Sequence, residues 1–210
     1  MDLIALMGAA GAGKDTVGGY LKSQYGYETV SFADGIKDCL SAIFGWDRAM
    51  LEGGTPKSRA WREQVDEWWA ERLGIPKFTP RLAMTMFGSD VMRKWFNDRI
   101  WLLNTERKIA SAFGPVVICD LRFKIEIDMV RNLGGKIYRI ERGDKPIWED
   151  VAVAAAKGDP GSIACMKDHY GIHEAEWEWR ATVPDATLFN LGDMPSLYRQ
   201  VDELTGRVPA

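Results

Sequence analysis

Apolar positions along this chain come in two forms, short unbroken runs and longer stretches spaced at helical intervals. Leu3 to Met7 is continuously apolar and stops at Gly8, the pattern of a strand buried on both faces of a parallel sheet. Lys14 to Gln24 then reads as a helix and Glu28 to Phe32 as a second strand. Asp34 to Phe44 predicts an amphipathic helix, with Ile36, Leu40, Ile43 and Phe44 on one face. Gly45 to Lys57, carrying Gly53, Gly54 and Pro56, reads as loop, and Ser58 to Leu73 returns to helix. Thr79-Pro80 has the form of an N-cap followed by proline at the first helical position. Arg81 to Trp95 and Asp98 to Ala112 predict two further helices, parted near Phe96-Asn97.

Val116 to Cys119 is a second bare apolar run, ending in Asp120. Ile125 to Leu133 reads as helix, Gly134-Gly135 as a turn and Lys136 to Ile140 as a strand. Val151 to Lys157 is alanine-rich and helical, flanked by Pro146 and by Gly158-Asp159-Pro160-Gly161. Ala186 to Asn190 predicts the last strand and Pro195 to Thr205 the last helix. Five strands alternating with helices imply an α/β fold, a doubly wound five-stranded parallel sheet. The 210 residues fit one domain. Its expected core covers 1–44, 113–142 and 185–210, with an all-helical excursion over 45–112 and a second excursion over 143–180.

Composition narrows the partners. A content of 46% hydrophobic and 27% charged residues is that of an ordinary globular chain. A formal charge of −3 disfavours long DNA or RNA as ligand. Cys39, Cys119 and Cys165 are odd in number and widely spaced. They read as reduced thiols of a cytoplasmic protein rather than a disulfide framework or zinc site. The N-terminal apolar run falls far short of the ~20 residues of a membrane span, so no membrane association is expected. A homodimer is compatible with the sequence.

Gly8-Ala9-Ala10-Gly11-Ala12-Gly13-Lys14 fits G-x-x-x-x-G-K between an apolar strand and a helix. Small residues let successive backbone N–H groups turn inward around phosphates, and the helix start adds its positive dipole end. Lys14 would neutralise the β- and γ-phosphates of ATP. The next residue is Asp15, where Ser or Thr is usual for holding Mg²⁺, and Thr16 follows. Either could serve the ion. Asp120 closes an apolar strand, where a carboxylate can hold Mg²⁺ through water or cap the next helix. Arg122 lies at the same strand end, where ligands of open α/β sheets collect, and Glu126 at i+4 could orient it.

Taken together, several segments resemble the deoxynucleoside monophosphate kinases of bacteriophages and bacterial genomes. They are Gly13-Lys14-Asp15-Thr16, Ser31-Phe32-Ala33 followed by Lys37, and Leu51-Glu52-Gly53 with Arg59-Ala60-Trp61-Arg62-Glu63. Thr79-Pro80-Arg81, Gly88-Ser89-Asp90, Asp98 and Trp101 follow, then Asp120-Leu121-Arg122 with Glu126. His173 with Glu176-Trp177 and Asn190-x-Gly192 complete the set, which spans nearly the whole chain.

The resemblance implies transfer of the ATP γ-phosphoryl group to a deoxynucleoside 5′-monophosphate with Mg²⁺, in the host cytoplasm if the chain is phage-encoded. It implies a catalytic set of Lys14, Arg122, Arg142 and Asp120, with Asp15, Thr16 and Asp120 serving the metal. Gly8, Ala10, Gly11, Ala12, Gly13, Lys14, Asp15, Thr16, Arg142, Asn190 and Gly192 would bind ATP. Asp34, Lys37, Trp61, Arg62, Arg81, Arg93, Asp98, Arg122, Glu126, His173 and Glu176 would bind the acceptor. Trp61 could equally be core, and His173 could fix a lid or touch phosphate. The Gly/Pro-rich stretches 143–146 and 158–161 suggest a lid over about 143–175, against the alternative of a packed insertion. A kinase of another acceptor and a P-loop ATPase stay open at this point.

Overall fold

The computed structural model describes residues 2–206 and contains five strands, β1 (Leu3–Met7), β2 (Glu28–Val30), β3 (Val116–Ile118), β4 (Lys136–Glu141) and β5 (Ala186–Phe189). They form one parallel sheet in the order β2-β3-β1-β4-β5. The doubly wound parallel α/β sheet is therefore the observed architecture. Met1 and residues 207–210 of the expected core lie outside the described residues. β1 is central, and all five of its side chains are buried, which is why its sequence is unbroken by polar residues.

The chain divides into two compact units, one made of the residues up to Ser31 with those from Ile109 onward, the other of Phe32–Lys108. In the first unit the helices Lys14–Tyr25 and Met194–Thr205 cover the sheet, with Val17, Leu21, Leu197 and Val201 packed on Ile4, Leu6 and Ile140. Each of these buried aliphatic side chains contributes about 1.5–3 kcal/mol relative to exposure. Tyr20 stacks on Tyr198 at 3.9 Å between ring centroids, and the Tyr20 and Tyr25 hydroxyls both donate to Asp202. Burial, then the bond to Asp202, pushes the Tyr20 hydroxyl up to about 12.

In the second unit the helix Asp34–Phe44 stands as expected, and the segments after it depart from expectation. Gly45 to Lys57 holds a short helix, Arg48–Glu52, because the Asp47 carboxylate accepts from the Ala49 N–H and caps it. The expected helix Ser58 to Leu73 is two. Pro56–Arg62 begins behind a reciprocal Thr55–Ser58 cap, and Glu67–Leu73 begins where Asp66 accepts from Trp69 N–H. Arg81 to Trp95 starts as the α-helix Pro80–Thr85, capped by Thr79, and continues as a π-helix, Met86–Phe96. Within it the Gly88 carbonyl accepts from the Trp101 indole. The next helix is Ile100–Ser111 rather than one from Asp98, since Asn97 accepts from the Arg99 N–H and forms the preceding turn. Leu40, Trp46, Leu51, Ala70, Phe78 and Ala83 make the core of this unit.

Residues 143–180, in the first unit, carry helices Glu149–Ala156 and Pro160–Ala164, a π-turn Cys165–His169 and two 3₁₀ turns. They bury a small core of their own around Ala152, Ala155, Met166 and Trp177. Gly158 to Gly161 is a tight helix-to-helix turn: Asp159 accepts from Ser162 N–H and Pro160 takes the first helical position. The far end of the segment is pinned to the sheet. Arg139 of β4 donates to the Arg180 and Thr182 carbonyls, and Arg180 lies over the rings of Trp148 and Trp179 while pairing with Glu149.

Candidate active site

The site in the first unit grows from the turn after β1. Gly8 has φ 152° and Gly13 φ 113°, both outside the range of ordinary side chains. A Cβ at Gly8 would stand 2.5 Å from the Ile140 carbonyl oxygen, and one at Gly13 would stand 2.6 Å from Asn190 Nδ2. The loop is thus glycine-dependent for both turn and clearance. It delivers the chain into the helix Lys14–Tyr25, whose first-turn N–H groups have no acceptor within the helix. Loop and helix start together make an anion cradle.

Lys14 is only 8% exposed. Its Nζ donates to the carbonyls of Gly8 at 2.7 Å and Ala9 at 2.8 Å, so the ammonium is folded over the loop. Burial, then the positive charge of Arg122, holds its pKa below the usual 10.5, while Asp15, Glu176 and Cys119 oppose that shift. Two more side chains fasten the loop. Asn190, just past β5, donates from Nδ2 to Ala12 O at 2.8 Å, and Arg142, just past β4, donates to Gly11 O at 3.1 Å. Gly192 is exposed two residues beyond Asn190, and a cleft beside the loop is lined by Ala9, Glu141, Arg142, Gly143, Glu149 and Arg180 among others.

Asp120 follows β3, next to β1, and accepts from the Ser31 hydroxyl at 2.6 Å. It does not cap the following helix, whose N-cap is Phe123. Glu126 fills the role at that helix end, accepting from the main-chain N–H groups of Arg122 at 2.9 Å and Phe123 at 3.0 Å. Glu126 meets Arg122 at its main chain, and the Arg122 guanidinium pairs with Glu176 at 2.8 Å. The Cys119 thiol, just before Asp120, is pushed up to about 12 by burial and then by Asp120 and Asp15.

Asp15 is exposed in the first helical turn, and Thr16 is half-buried beside it. No group of three or more His, Cys, Asp or Glu fit for a metal occurs among the described residues. Asp15, Thr16 and Asp120 offer carboxylate and hydroxyl oxygens, the donor class that Mg²⁺ takes beside water and phosphate oxygens.

The remaining acceptor candidates fall in two places. His173 and Glu176 are in the first unit, where His173 Nδ1 accepts from the Ala175 N–H and caps a 3₁₀ turn. The others are in the second unit. Lys37 is 6% exposed, with Nζ bonded to Glu52 at 2.6 Å and 3.9 Å from Asp34, and Arg48 bridges Asp34, Asp38 and Glu52. Burial pushes the Glu52 carboxyl up, but bonds from Lys37 and Arg48 outweigh it and hold the group below its usual range. Trp61 is half-buried and packs edge-on against Trp46, on the helical core. Arg81 is exposed and 3.3 Å from Glu63, Arg62 lies nearby, and Arg93 reaches the Asp98 carbonyl at 3.5 Å.

Sequence reasoning gave no role to Ser31, Arg48 or Arg180. Ser31 carried a signal, since it stands directly before Phe32-Ala33 in the family-like segment at the end of β2. Arg48 carried one too, since Glu52 lies four residues on, whereas the Arg180 partner Glu149 lies 31 residues away in sequence.

No protein-family model matches the chain. Two crystal structures aligned with it are a dephospho-CoA kinase from Campylobacter jejuni, 13% identical over 97% of this chain and 95% of that one with a TM-score of 0.46, and a shikimate kinase from Bacteroides thetaiotaomicron, 13% identical over 98% of each with a TM-score of 0.39. No helix among the described residues is long and apolar enough to cross a membrane. A protein of Acanthamoeba polyphaga mimivirus, described as "Putative deoxynucleotide monophosphate kinase", is 30% identical over 156 residues, 68% of this chain and 75% of its own length. With that relative, the phosphate loop on β1 and the parallel sheet around it, the chain is a P-loop kinase and belongs to the deoxynucleotide monophosphate kinase family.

Proposed function

We propose that this kinase transfers the γ-phosphoryl group of ATP to a deoxynucleoside 5′-monophosphate, giving ADP and a deoxynucleoside diphosphate. The observation that carries the reading is the buried Lys14 ammonium, folded over its own loop with Arg122 and Glu176 in its electrostatic surroundings. In the free protein the Gly8 and Ala9 carbonyls satisfy that ammonium. A bound triphosphate offers it stronger, charged acceptors. The acceptor phosphate is itself a nucleophile near neutral pH, so the protein need only align and neutralise charge.

Arg122 is assigned to the transferring phosphoryl group, and its guanidinium pairs with Glu176. Arg142 and Asn190 hold the donor side through their bonds to the loop. Asp15, Thr16 and Asp120 would hold Mg²⁺, partly through water, and the ion when bound supplies charge neutralisation at the phosphates. Lys37, Asp34, Arg62, Arg81, Arg93 and Asp98 are assigned to the acceptor, with Lys37 and Asp34 acting through a paired network. Incubation with ATP and each deoxy- or ribonucleoside monophosphate in turn tests the reading. ADP should form only when a deoxynucleotide acceptor is present.

Residues about 143–175 are assigned as a lid whose hinge is Gly143–Pro146. The stretch 158–161 is a capped turn inside the moving piece, and Arg139, Arg180 and Trp179 anchor its far end. A lid that excludes water would protect the γ-phosphoryl group from hydrolysis. Hydrogen exchange should show slower exchange across Glu149–Ala156 and Pro160–Ala164 when a bisubstrate analogue, an adenosine joined to a deoxynucleoside through a phosphate chain, is bound. Unchanged exchange there would make the segment a packed insertion.

A further inference from the structure

Three arginines of the second unit, Arg59, Arg62 and Arg81, have among the described residues one carboxylate at pairing distance, Glu63 on Arg81. Arg59 and Arg62 lie three residues apart on the helix Pro56–Arg62, and Arg81 lies in the first turn of Pro80–Thr85. Burial first, then the charges of Arg81 and Arg59, lowers the Arg62 pKa from its ordinary value, while Glu63 and Glu52 oppose the shift, and the guanidinium stays charged. Of those two carboxylates, Glu52 is already engaged by Lys37 and Arg48. Glu63 pairs with Arg81 only in an exposed contact of 3.3 Å, the kind that solvent screens and a ligand can displace. Arg62 Nε is buried and has no hydrogen-bond partner. A buried donor left open is costly unless something else occupies it.

Gly53 explains how the Arg62 guanidinium is aimed. It is buried at the C-terminal end of Arg48–Glu52, and a Cβ there would stand 2.1 Å from Arg62 Nη2 and 2.2 Å from Cζ. The guanidinium therefore occupies the space a side chain at Gly53 would need, and the Gly53 carbonyl also accepts from Arg59 at 3.5 Å. We propose that Gly53 is a positioning residue which seats Arg62, and that Arg59 joins Arg62 and Arg81 in gripping a phosphate monoester dianion. Guanidinium forks suit that ligand, because each presents parallel N–H donors to phosphoryl oxygens. The inference rests on the proposed function for naming the ligand as the acceptor's 5′-phosphate.

Gly53 also has φ +67°, so a side chain strains the backbone whatever it touches. Gly74 supplies the control: it ends the helix Glu67–Leu73 at φ +66°, with nothing within 4 Å of an added Cβ. The expected result is that Gly53→Ala and Arg59→Ala each raise KM for the deoxynucleoside monophosphate by about ten- to a hundredfold, with KM for ATP unmoved. Gly74→Ala, equally strained, should leave the acceptor KM at the wild-type value. Binding of ribose 5-phosphate, a phosphate monoester without a base, should weaken in parallel in Gly53→Ala and Arg59→Ala when followed by calorimetry. An acceptor KM in Gly53→Ala no different from that in Gly74→Ala, or undiminished ribose 5-phosphate binding in Arg59→Ala, overturns the grip while leaving the proposed function standing. If no nucleoside monophosphate is phosphorylated yet Arg59→Ala still loses ribose 5-phosphate, the grip stands and the assigned substrate fails.

Discussion

Lys14→Met is expected to abolish phosphoryl transfer, lowering kcat by on the order of a thousandfold or more, as loss of a preorganised charge at a reacting centre does. Methionine keeps the length and apolar stem of lysine in a site that is 8% exposed, so packing is retained. The loss in the free protein is confined to two hydrogen bonds, to Gly8 and Ala9. These contribute about 0.5–3 kcal/mol each at most, and removal of a buried ammonium offsets part of that. The variant should therefore unfold near the wild-type temperature and yet be inactive. Thermal denaturation together with steady-state rates checks this. Near-normal turnover in a folded Lys14→Met would remove the phosphate loop from the mechanism.

Arg122→Lys should lower kcat by about a hundredfold or more while KM for ATP changes little. Lysine keeps the charge and can still meet Glu176, the partner at 2.8 Å. It lacks the planar fork that spans two phosphoryl oxygens at once. The main chain of Arg122 is held independently by Glu126, so the substitution should leave the local backbone in place. Initial rates over a grid of ATP and acceptor concentrations separate the two substrates. If the variant instead binds ATP poorly and the acceptor normally, Arg122 belongs to the donor phosphates.

The sheet was legible because parallel strands buried on both faces are written as unbroken apolar runs, and β1 and β3 are such runs. The phosphate loop was legible for a local reason: strand, glycines, lysine and helix follow one another without a gap. Most other helix ends in Phe32–Lys108 were not, although Asp34–Phe44 and the Thr79-Pro80 start were legible as they stand. Asp47, Thr55 and Asp66 cap three helices there, but each stands among other polar residues, and only the bonds to Ala49, Ser58 and Trp69 reveal which polar residue is the cap. The change from α- to π-helix at Met86 was also hidden, since an apolar pattern over so few turns fits either winding.

Within the candidate site the same distinction holds. Asp120 and Arg122 could be read together because two positions separate them at one strand end. The pairing of Arg122 with Glu176, 54 residues away, could not be derived from spacing, and the nearer Glu126 drew the expectation instead. Asn190 was expected to meet ATP from the last strand end, and its observed contact is with the loop itself, at Ala12. The Arg62 guanidinium beside Gly53 left no trace in the sequence, since a glycine that ends a helix looks the same whether or not a side chain lies against it.

Isotopic labelling follows the γ-phosphoryl group from donor to acceptor directly. The wild-type protein is incubated with ATP carrying ¹⁸O in its γ-phosphoryl group, Mg²⁺ and deoxynucleoside 5′-monophosphates, and the products are read by mass spectrometry. The label should appear in the β-phosphoryl group of a deoxynucleoside diphosphate, one for each ADP formed, and no ADP should form when the acceptor is withheld. Label released as inorganic phosphate without any acceptor would contradict a kinase, and an unphosphorylated deoxynucleotide in every mixture would contradict the substrate.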